Sequence, residues 1–247
     1  SIGCIAIDPK NPETVWVGTG ETNVRNSVSV GTGVYKTTDG GKTWQCMGLT
    51  DSERIGEVLI DPGDSNTVYV AAAGHLWNAN TERGLYKTID GGKTWEKIIY
   101  VDQNTGCIEV DMHPQKPNIL LAAMWEYRRQ PWSFNSGGKG SGLFKSMDGG
   151  KTWKNIKKGL PEGILGRIAM DFAPSESNLV YAIVEAKETA LYKSIDAGDT
   201  WEKIGTGFGL KMRPSMLSFP VYGGGISGIT IPVLTNERSR LCRDAFS

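Results

Sequence analysis

The first chemistry the sequence suggests is phosphate binding. Gly-Lys-Thr occurs at 41–43, 92–94 and 150–152, in each case two residues after an aspartate: Asp39, Asp90 and Asp148. A phosphate-cradling loop needs another glycine five positions before the Gly-Lys pair, and none of the three segments has it. A calcium-binding EF-hand loop needs several acidic ligands and a closing glutamate, which are also missing. His-Glu-x-x-His is absent, and Gly225-Ile226-Ser227-Gly228-Ile229 falls one glycine short of Gly-x-Ser-x-Gly. Cys4, Cys46, Cys107 and Cys242 are widely scattered and form no Cys-x-x-Cys pair, so neither a zinc site nor a disulfide framework is supported. No metal and no cofactor is therefore expected.

The remaining chemistry is carboxylate, guanidinium and aromatic. Glycoside hydrolysis generally uses two separated carboxylates. Glu21, Glu82 and Glu126 are candidates, and Glu185 occupies a corresponding segment. The same segments hold Arg25, His75, Trp77, Arg83, Trp125, Arg128, Arg129 and Trp132. Arginine binds carboxylate or phosphate through two parallel hydrogen bonds, and aromatic faces stack on sugars or peptide side chains. An alternative stays open: the arginines pair with the glutamates merely to fasten long loops, and the indoles pack beneath them.

What must position these residues is a repeat. Four segments align: Thr-Thr-Asp-Gly-Gly-Lys-Thr-Trp at 37–44, Thr-Ile-Asp-Gly-Gly-Lys-Thr-Trp at 88–95, Ser-Met-Asp-Gly-Gly-Lys-Thr-Trp at 146–153 and Ser-Ile-Asp-Ala-Gly-Asp-Thr-Trp at 194–201. Asp39, Asp90, Asp148 and Asp196 are 51, 58 and 48 positions apart. Upstream of each comes an apolar run ending near a proline (Pro9, Pro62, Pro114, Pro174), then an alternating run, then Gly-Val-Tyr-Lys or a variant. Each is short, β-branched or aromatic, and bounded by turn residues. Four antiparallel strands per unit at this period predict an all-β propeller blade. In the turn between the third and fourth strands, the aspartate can accept backbone N–H groups, the glycines can adopt φ > 0, and the tryptophan can cover the hairpin. Asp39, Trp44, Asp90, Trp95, Asp148, Trp153, Asp196 and Trp201 are therefore assigned a structural role.

Function is expected where the blades differ. The first-strand proline and the turn aspartate are separated by 30, 28, 34 and 22 positions in the four units. The surplus falls between the second and third strands. Those loops should share one face of the propeller, with the aspartate turns on the other. Long loops on a rigid face are the usual carriers of recognition.

Composition sets limits. The 247 residues include 27 Lys+Arg and 27 Asp+Glu, a balance that argues against a general nucleic-acid binder. Glycine at 32 residues is about 13% of the chain, against a usual ~7%, which fits many tight turns. No run approaches the ~20 apolar residues of a membrane-spanning helix.

The eight-residue turn resembles the Asp-box, or BNR repeat, over about residues 1–204. Gly-Thr-Gly-Glu with Arg25, Gly-His-Leu-Trp with Arg83, and Trp125 with Arg128-Arg129 and Pro131-Trp132 resemble the sortilin/VPS10-like branch of BNR-repeat proteins. Bacterial members of that branch are often labelled glycosyl hydrolases. The resemblance implies an exported propeller (secreted, periplasmic or cell-surface) that binds a peptide, protein or carbohydrate ligand on its long-loop face. Two other readings are a glycoside hydrolase using loop carboxylates and a set of structural scaffold blades. The Arg-Ile-Pro segment expected of a sialidase is absent, and no motif of xyloglucanase-type propellers is evident.

Blades are expected at about 1–51, 52–105, 106–163 and 164–204, with 205–247 a divergent or truncated fifth. The loss of the repeat after Ile204 and the abrupt opening at Ser1 suggest a piece of a larger propeller. Remaining blades, or another chain, would then be needed to close the ring.

Overall fold

The computed structural model describes residues 1–25 and 27–206. The expected divergent fifth blade lies outside the described residues, apart from its first two positions. No α-helix is present among the described residues, and no helix is long and apolar enough to cross a membrane.

Four antiparallel sheets follow one another along the chain. The first contains β1 (Ile2–Ile7), β2 (Val15–Thr19), β3 (Val34–Thr37) and β4 (Gln45–Cys46) in sequence order. The second contains β5 (Ile55–Asp61), β6 (Asp64–Ala72), β7 (Gly84–Thr88) and β8 (Glu96–Ile99). The third departs from the four-strand expectation. Its members are β9 (Thr105–Met112), β10 (Leu120–Gln130), β11 (Ser133–Ser136), β12 (Gly142–Ser146) and β13 (Lys154–Ile156). What reads as a loop after Trp125 is instead the far end of a long strand, which folds back so that Tyr127–Gln130 pairs with β11. The fourth sheet is β14 (Ile168–Phe172), β15 (Val180–Val184), β16 (Ala190–Ser194) and β17 (Glu202–Gly205).

The innermost strands pack in order: β1 on β5, β5 on β9, β9 on β14. Alternation sends one side of each blade toward its predecessor and the other toward its successor. Val58, Ile60, Val68 and Val70 thus join Trp16 and Val34 of the first blade, while Leu59, Tyr69, Ala71 and Leu85 join Val110 and Leu120 of the third. These are propeller blades, fanned about a shared axis. Side chains also reach between inner strands. Glu109 Oε1 accepts Met170 N–H at 3.1 Å, and Asp111 Oδ2 accepts Phe172 N–H at 2.8 Å.

The repeated turn is built around its aspartate. In the third blade, Asp148 Oδ1 accepts the Thr152 N–H at 2.9 Å and Oδ2 accepts the Thr152 hydroxyl at 2.6 Å. The Ser146 hydroxyl donates to Oδ1 at 2.8 Å and itself accepts the Gly150 N–H at 2.9 Å. The same bonds recur around Asp39, Asp90 and Asp196. Residue 149 sits at φ 72°, which suits glycine, and Ala197 holds the equivalent place in the fourth turn at φ 56°. Each turn also bonds to the hairpin joining the first two strands, as in Gly40 N–H to Glu13 O. The turns therefore lie opposite the long loops.

The bonds from Thr43 and Thr152 hold Asp39 and Asp148 at a pKa of about 2, below the ordinary 3.8. Burial would raise Asp196, but the Thr200 bonds overcome it and the net direction is down. A depressed carboxylate pKa stabilises the fold above the unfolded value, and that contribution disappears as pH falls through the folded value. We expect Tm to fall across about pH 4 to pH 2 from this source. Asp148→Asn should lower Tm at pH 7 and make the acid limb shallower, as thermal unfolding followed by circular dichroism across pH will show.

Candidate functional site

The loop face is assembled around two peptide carbonyls. After β6, the chain turns at Ala73-Gly74, with Gly74 at φ 87°. Arg83 Nη1 donates to Ala73 O at 2.8 Å, and its Nη2 donates to His75 O and, at 3.4 Å, to Asn78 O. Tyr127, from the third blade, donates its hydroxyl toward Ala73 O (3.2 Å) and Gly74 O (2.9 Å). Arg54, from the segment entering the second blade, donates to Gly74 O at 3.2 Å and pairs with Glu53 at 2.7 Å. The Arg83 guanidinium also lies over the Tyr127 ring, 4.8 Å from its centroid. Arg54, Arg83 and Tyr127 are all buried. Burial lowers the Arg83 pKa and raises that of Tyr127.

Around this clamp stands the third-blade hairpin. Trp125 stacks on Tyr127 at 4.3 Å between centroids, and the edge of Phe134 meets it at 6.1 Å. Trp125 Nε1 donates to Ser136 Oγ, whose hydroxyl donates to Glu185 of the fourth blade at 2.9 Å. Arg129 N–H bonds Leu76 O at 3.0 Å, which ties the hairpin to the second-blade loop. Beyond that tie, Trp132 projects with 82% of its surface exposed, and Trp77 is 43% exposed.

The first-blade loop reaches across the same face. Arg167, at the entrance to the fourth blade, donates to Thr22 O at 3.3 Å and lies over the Trp125 ring. Val24 and Val28 pack on the apolar cluster shared by the third and fourth blades. On the innermost strand of the third blade, Glu109 is half-buried. Burial and then the neighbouring Glu57 push its carboxyl well above the usual range.

The expected site residues thus separate into three groups. Arg83 and Trp125 are buried and reach no ligand as the loops stand; Arg83 fastens carbonyls and Trp125 fills the base of the hairpin. His75 uses both ring nitrogens, on Asp51 O at 2.8 Å and Asn78 Oδ1 at 3.1 Å. Arg128 donates to Asn104 Oδ1 at 2.6 Å, and Arg129 lies over Phe134. Trp77, Trp132 and Arg25 face outward, with Arg25 paired to Glu21 at 2.7 Å. Among the candidate carboxylates, Glu82 accepts the Tyr86 hydroxyl at 3.0 Å and Glu126 accepts Gly140 N–H at 3.0 Å. A β-carbon at Gly138 would collide with the Glu126 carboxyl, 2.0 Å away, so this glycine makes room for the carboxylate. Arg54, Tyr127, Arg167 and Glu109 were not singled out by sequence reasoning. Among the described residues, no group of three or more His, Cys, Asp or Glu is placed to hold a metal ion.

Fold and site define a segment of β-propeller whose unequal loops build one continuous rim. No family model matches the chain. It is 34% identical over 99 residues to a probable oligoxyloglucan-reducing end-specific xyloglucanase of Neosartorya fischeri, covering 38% of this chain and 10% of that protein. It is 25% identical over 183 residues to a xyloglucanase of a Paenibacillus species, covering 66% of this chain and 17% of that protein. The chain therefore spans less than a fifth of either relative. Among solved structures, an ancestral GH74 enzyme superposes with a TM-score of 0.62 at 22% identity, over 83% of this chain and 24% of that one. The GH74 xyloglucanase of Xanthomonas campestris gives 0.59 at 16% identity, over 81% and 29%. These superpositions show the propeller fold. No motif of xyloglucanase-type propellers is evident in the sequence, yet the chain is similar to xyloglucanases over 99 and 183 residues. The relatives found support the propeller and not the sortilin/VPS10-like branch in particular.

The clamp predicts a stability effect. Arg83→Ala removes the donor to three carbonyls, of which Ala73 O keeps the Tyr127 hydroxyl and the part-buried His75 O loses its partner, at ~1–3 kcal/mol for such a group. We expect a loss of roughly 3 kcal/mol, measured by urea unfolding, and little recovery in Arg83→Lys, which lacks the planar fork.

Proposed function

We propose that this chain is a glycan-binding propeller segment of a glycoside hydrolase acting on a xyloglucan-like polysaccharide. The observation that carries the reading is the pair of exposed indoles on adjoining blades, Trp77 and Trp132, tied into one rim by the Arg129–Leu76 bond. Flat aromatic faces stack on pyranose rings, and two of them exposed on neighbouring loops suit a chain of sugars. Similarity to xyloglucanases over as much as two thirds of the chain supports the same reading. Arg128, Arg129 and His75 flank the indoles and would accompany them in contacting a ligand.

If hydrolysis occurs on this segment, the reacting carboxylates come from Glu21, Glu82 and Glu126. A paired mechanism needs one to donate a proton to the leaving oxygen and another to act from the opposite side of the ring. The eight-residue turn belongs, on this reading, to the Asp-box class, and its aspartates serve the scaffold. A polysaccharide substrate does not enter cells intact, so the protein would work outside the cytoplasm.

A second reading, a sortilin/VPS10-like propeller binding a peptide or protein, is favoured by the outward Arg25–Glu21 pair, which suits a charged ligand terminus. Calorimetry with xyloglucan oligosaccharides and with a peptide library separates the two. Trp77→Ala and Trp132→Ala should each weaken oligosaccharide binding about tenfold, equal to ~1.4 kcal/mol, with Tm unchanged. Wild-type affinity in the double variant would sink the glycan reading. Turnover that survives Glu126→Gln, Glu82→Gln and Glu21→Gln would remove these carboxylates from the chemistry.

A further inference from the structure

Arg54, Arg83 and Arg128 gather where the second and third blades meet on the loop face, and their charge is poorly matched. Arg54 and Arg83 leave 1% and 0% of their surface exposed. Burial lowers the Arg83 pKa, and the charges of Arg128 and Arg54 add to the fall, so Arg83 lies within electrostatic reach of both. Among the described residues, the only carboxylate in a salt bridge with any of the three is Glu53. Arg54 Nη2 and Nε, Arg83 Nε and Arg128 Nε are enclosed and meet no hydrogen-bond acceptor among the described residues. Buried donors are ordinarily satisfied, and buried cations ordinarily paired.

Glu53 marks the position an anion takes here. Its Oε2 accepts Arg54 Nη1 at 2.7 Å, and its Oε1 lies 3.7 Å from His75 Nε2. The contact is one-armed: a guanidinium fork can offer a carboxylate two parallel N–H groups, and Glu53 takes one. Glu53 is held at φ 58°, ψ −30°, at the end of a short turn that opens with Leu49 at φ 55°. Such a backbone is unfavourable for a residue with a β-carbon. The Glu53 carbonyl accepts Gly31 N–H at 2.7 Å, which pins the main chain. The side chain is 23% exposed, so it can turn out to solvent and leave Arg54 to another anion. His75 belongs to the loop that carries the exposed Trp77, and Arg83 holds that loop by the carbonyls of Ala73, His75 and Asn78. An anion between Arg54 and His75 therefore borders the loop of the indole assigned above to sugar stacking.

We propose that the loop face takes an acidic glycan: the carboxylate of a uronic acid residue displaces Glu53 from Arg54 while a neighbouring sugar ring stacks on Trp77. This rests on the glycan reading above and narrows it to polysaccharide chains that carry carboxylates. Arg83 stays on its carbonyls and, with Arg128, adds positive potential around the site. Glu53 acts as a built-in competitor. It keeps Arg54 paired when no ligand is bound, because a buried cation stripped of its partner is strongly destabilising.

Calorimetry of the full chain with a neutral xyloglucan oligosaccharide, and with the same oligosaccharide oxidised at C6 to the uronate, tests this. The ratio of the two Kd values is the readout. The acidic form should bind about tenfold tighter at low salt, and the advantage should shrink as sodium chloride is raised. Arg54→Gln should bring the ratio to about one, because the fork is gone. Glu53→Gln removes the competing charge and should widen the ratio about threefold. Should Arg54→Gln fail to fold, Glu53→Gln and the salt series decide the matter. Equal affinity for the two forms overturns the inference and leaves the glycan reading standing. An acidic preference that neither substitution changes puts the carboxylate elsewhere and also overturns it. Binding of neither form removes the glycan reading and this inference together, and capture of a peptide by its free C-terminus instead would give Arg54 a different ligand.

Discussion

Every level of this molecule rests on a carboxylate closing a hairpin turn. In each blade the aspartate takes up a threonine hydroxyl and backbone N–H groups that a tight turn would otherwise leave without partners. That closure freezes the turn in one shape. A rigid turn presents the carbonyl and bare glycine face that the preceding blade grips. Local hydrogen bonding and inter-blade assembly are thus one constraint acting at two distances. The alanine of the fourth turn, held at positive φ, shows that the hydrogen bonds outweigh a modest backbone cost.

With the scaffold anchored on one side, the opposite side is free to vary. The first-blade loop crosses to Arg167, the second-blade loop is folded around Arg83, and the third becomes a hairpin extended beyond its sheet. These three solutions converge on the peptide at Ala73-Gly74 and on the stacked Trp125–Tyr127 pair. The arginines mostly satisfy loop carbonyls, because a long turn buried under its neighbours must find donors for its own backbone. Aromatic surface is left for recognition at the outer edge, at Trp77 and Trp132.

The blades were legible because their signals are local. Strand alternation and an eight-residue turn are contained within a few positions each, and four copies remove accident. The candidate site was legible only by segment. The loops carrying Glu21, His75 and Trp132 do form the rim, but the direction of each side chain depends on distant partners. Arg54 finds its carbonyl 20 residues away, Tyr127 reaches back 53, and Arg167 reaches back 145. No window of sequence holds such a pair. Trp44 and Trp201 make the same point: they hold the same place in the repeated turn, yet one is 45% exposed and the other 5%.

The carboxylates of Glu109 and Asp111, interposed between the innermost strands of the third and fourth blades, have a consequence for misassembly. Each occupies an N–H that would otherwise invite another strand. A backbone edge already engaged by side chains cannot zip directly onto its neighbour or recruit a foreign strand. The acidic spacers thereby keep adjacent sheets as separate radial leaves and insulate the axis against fibrillar growth.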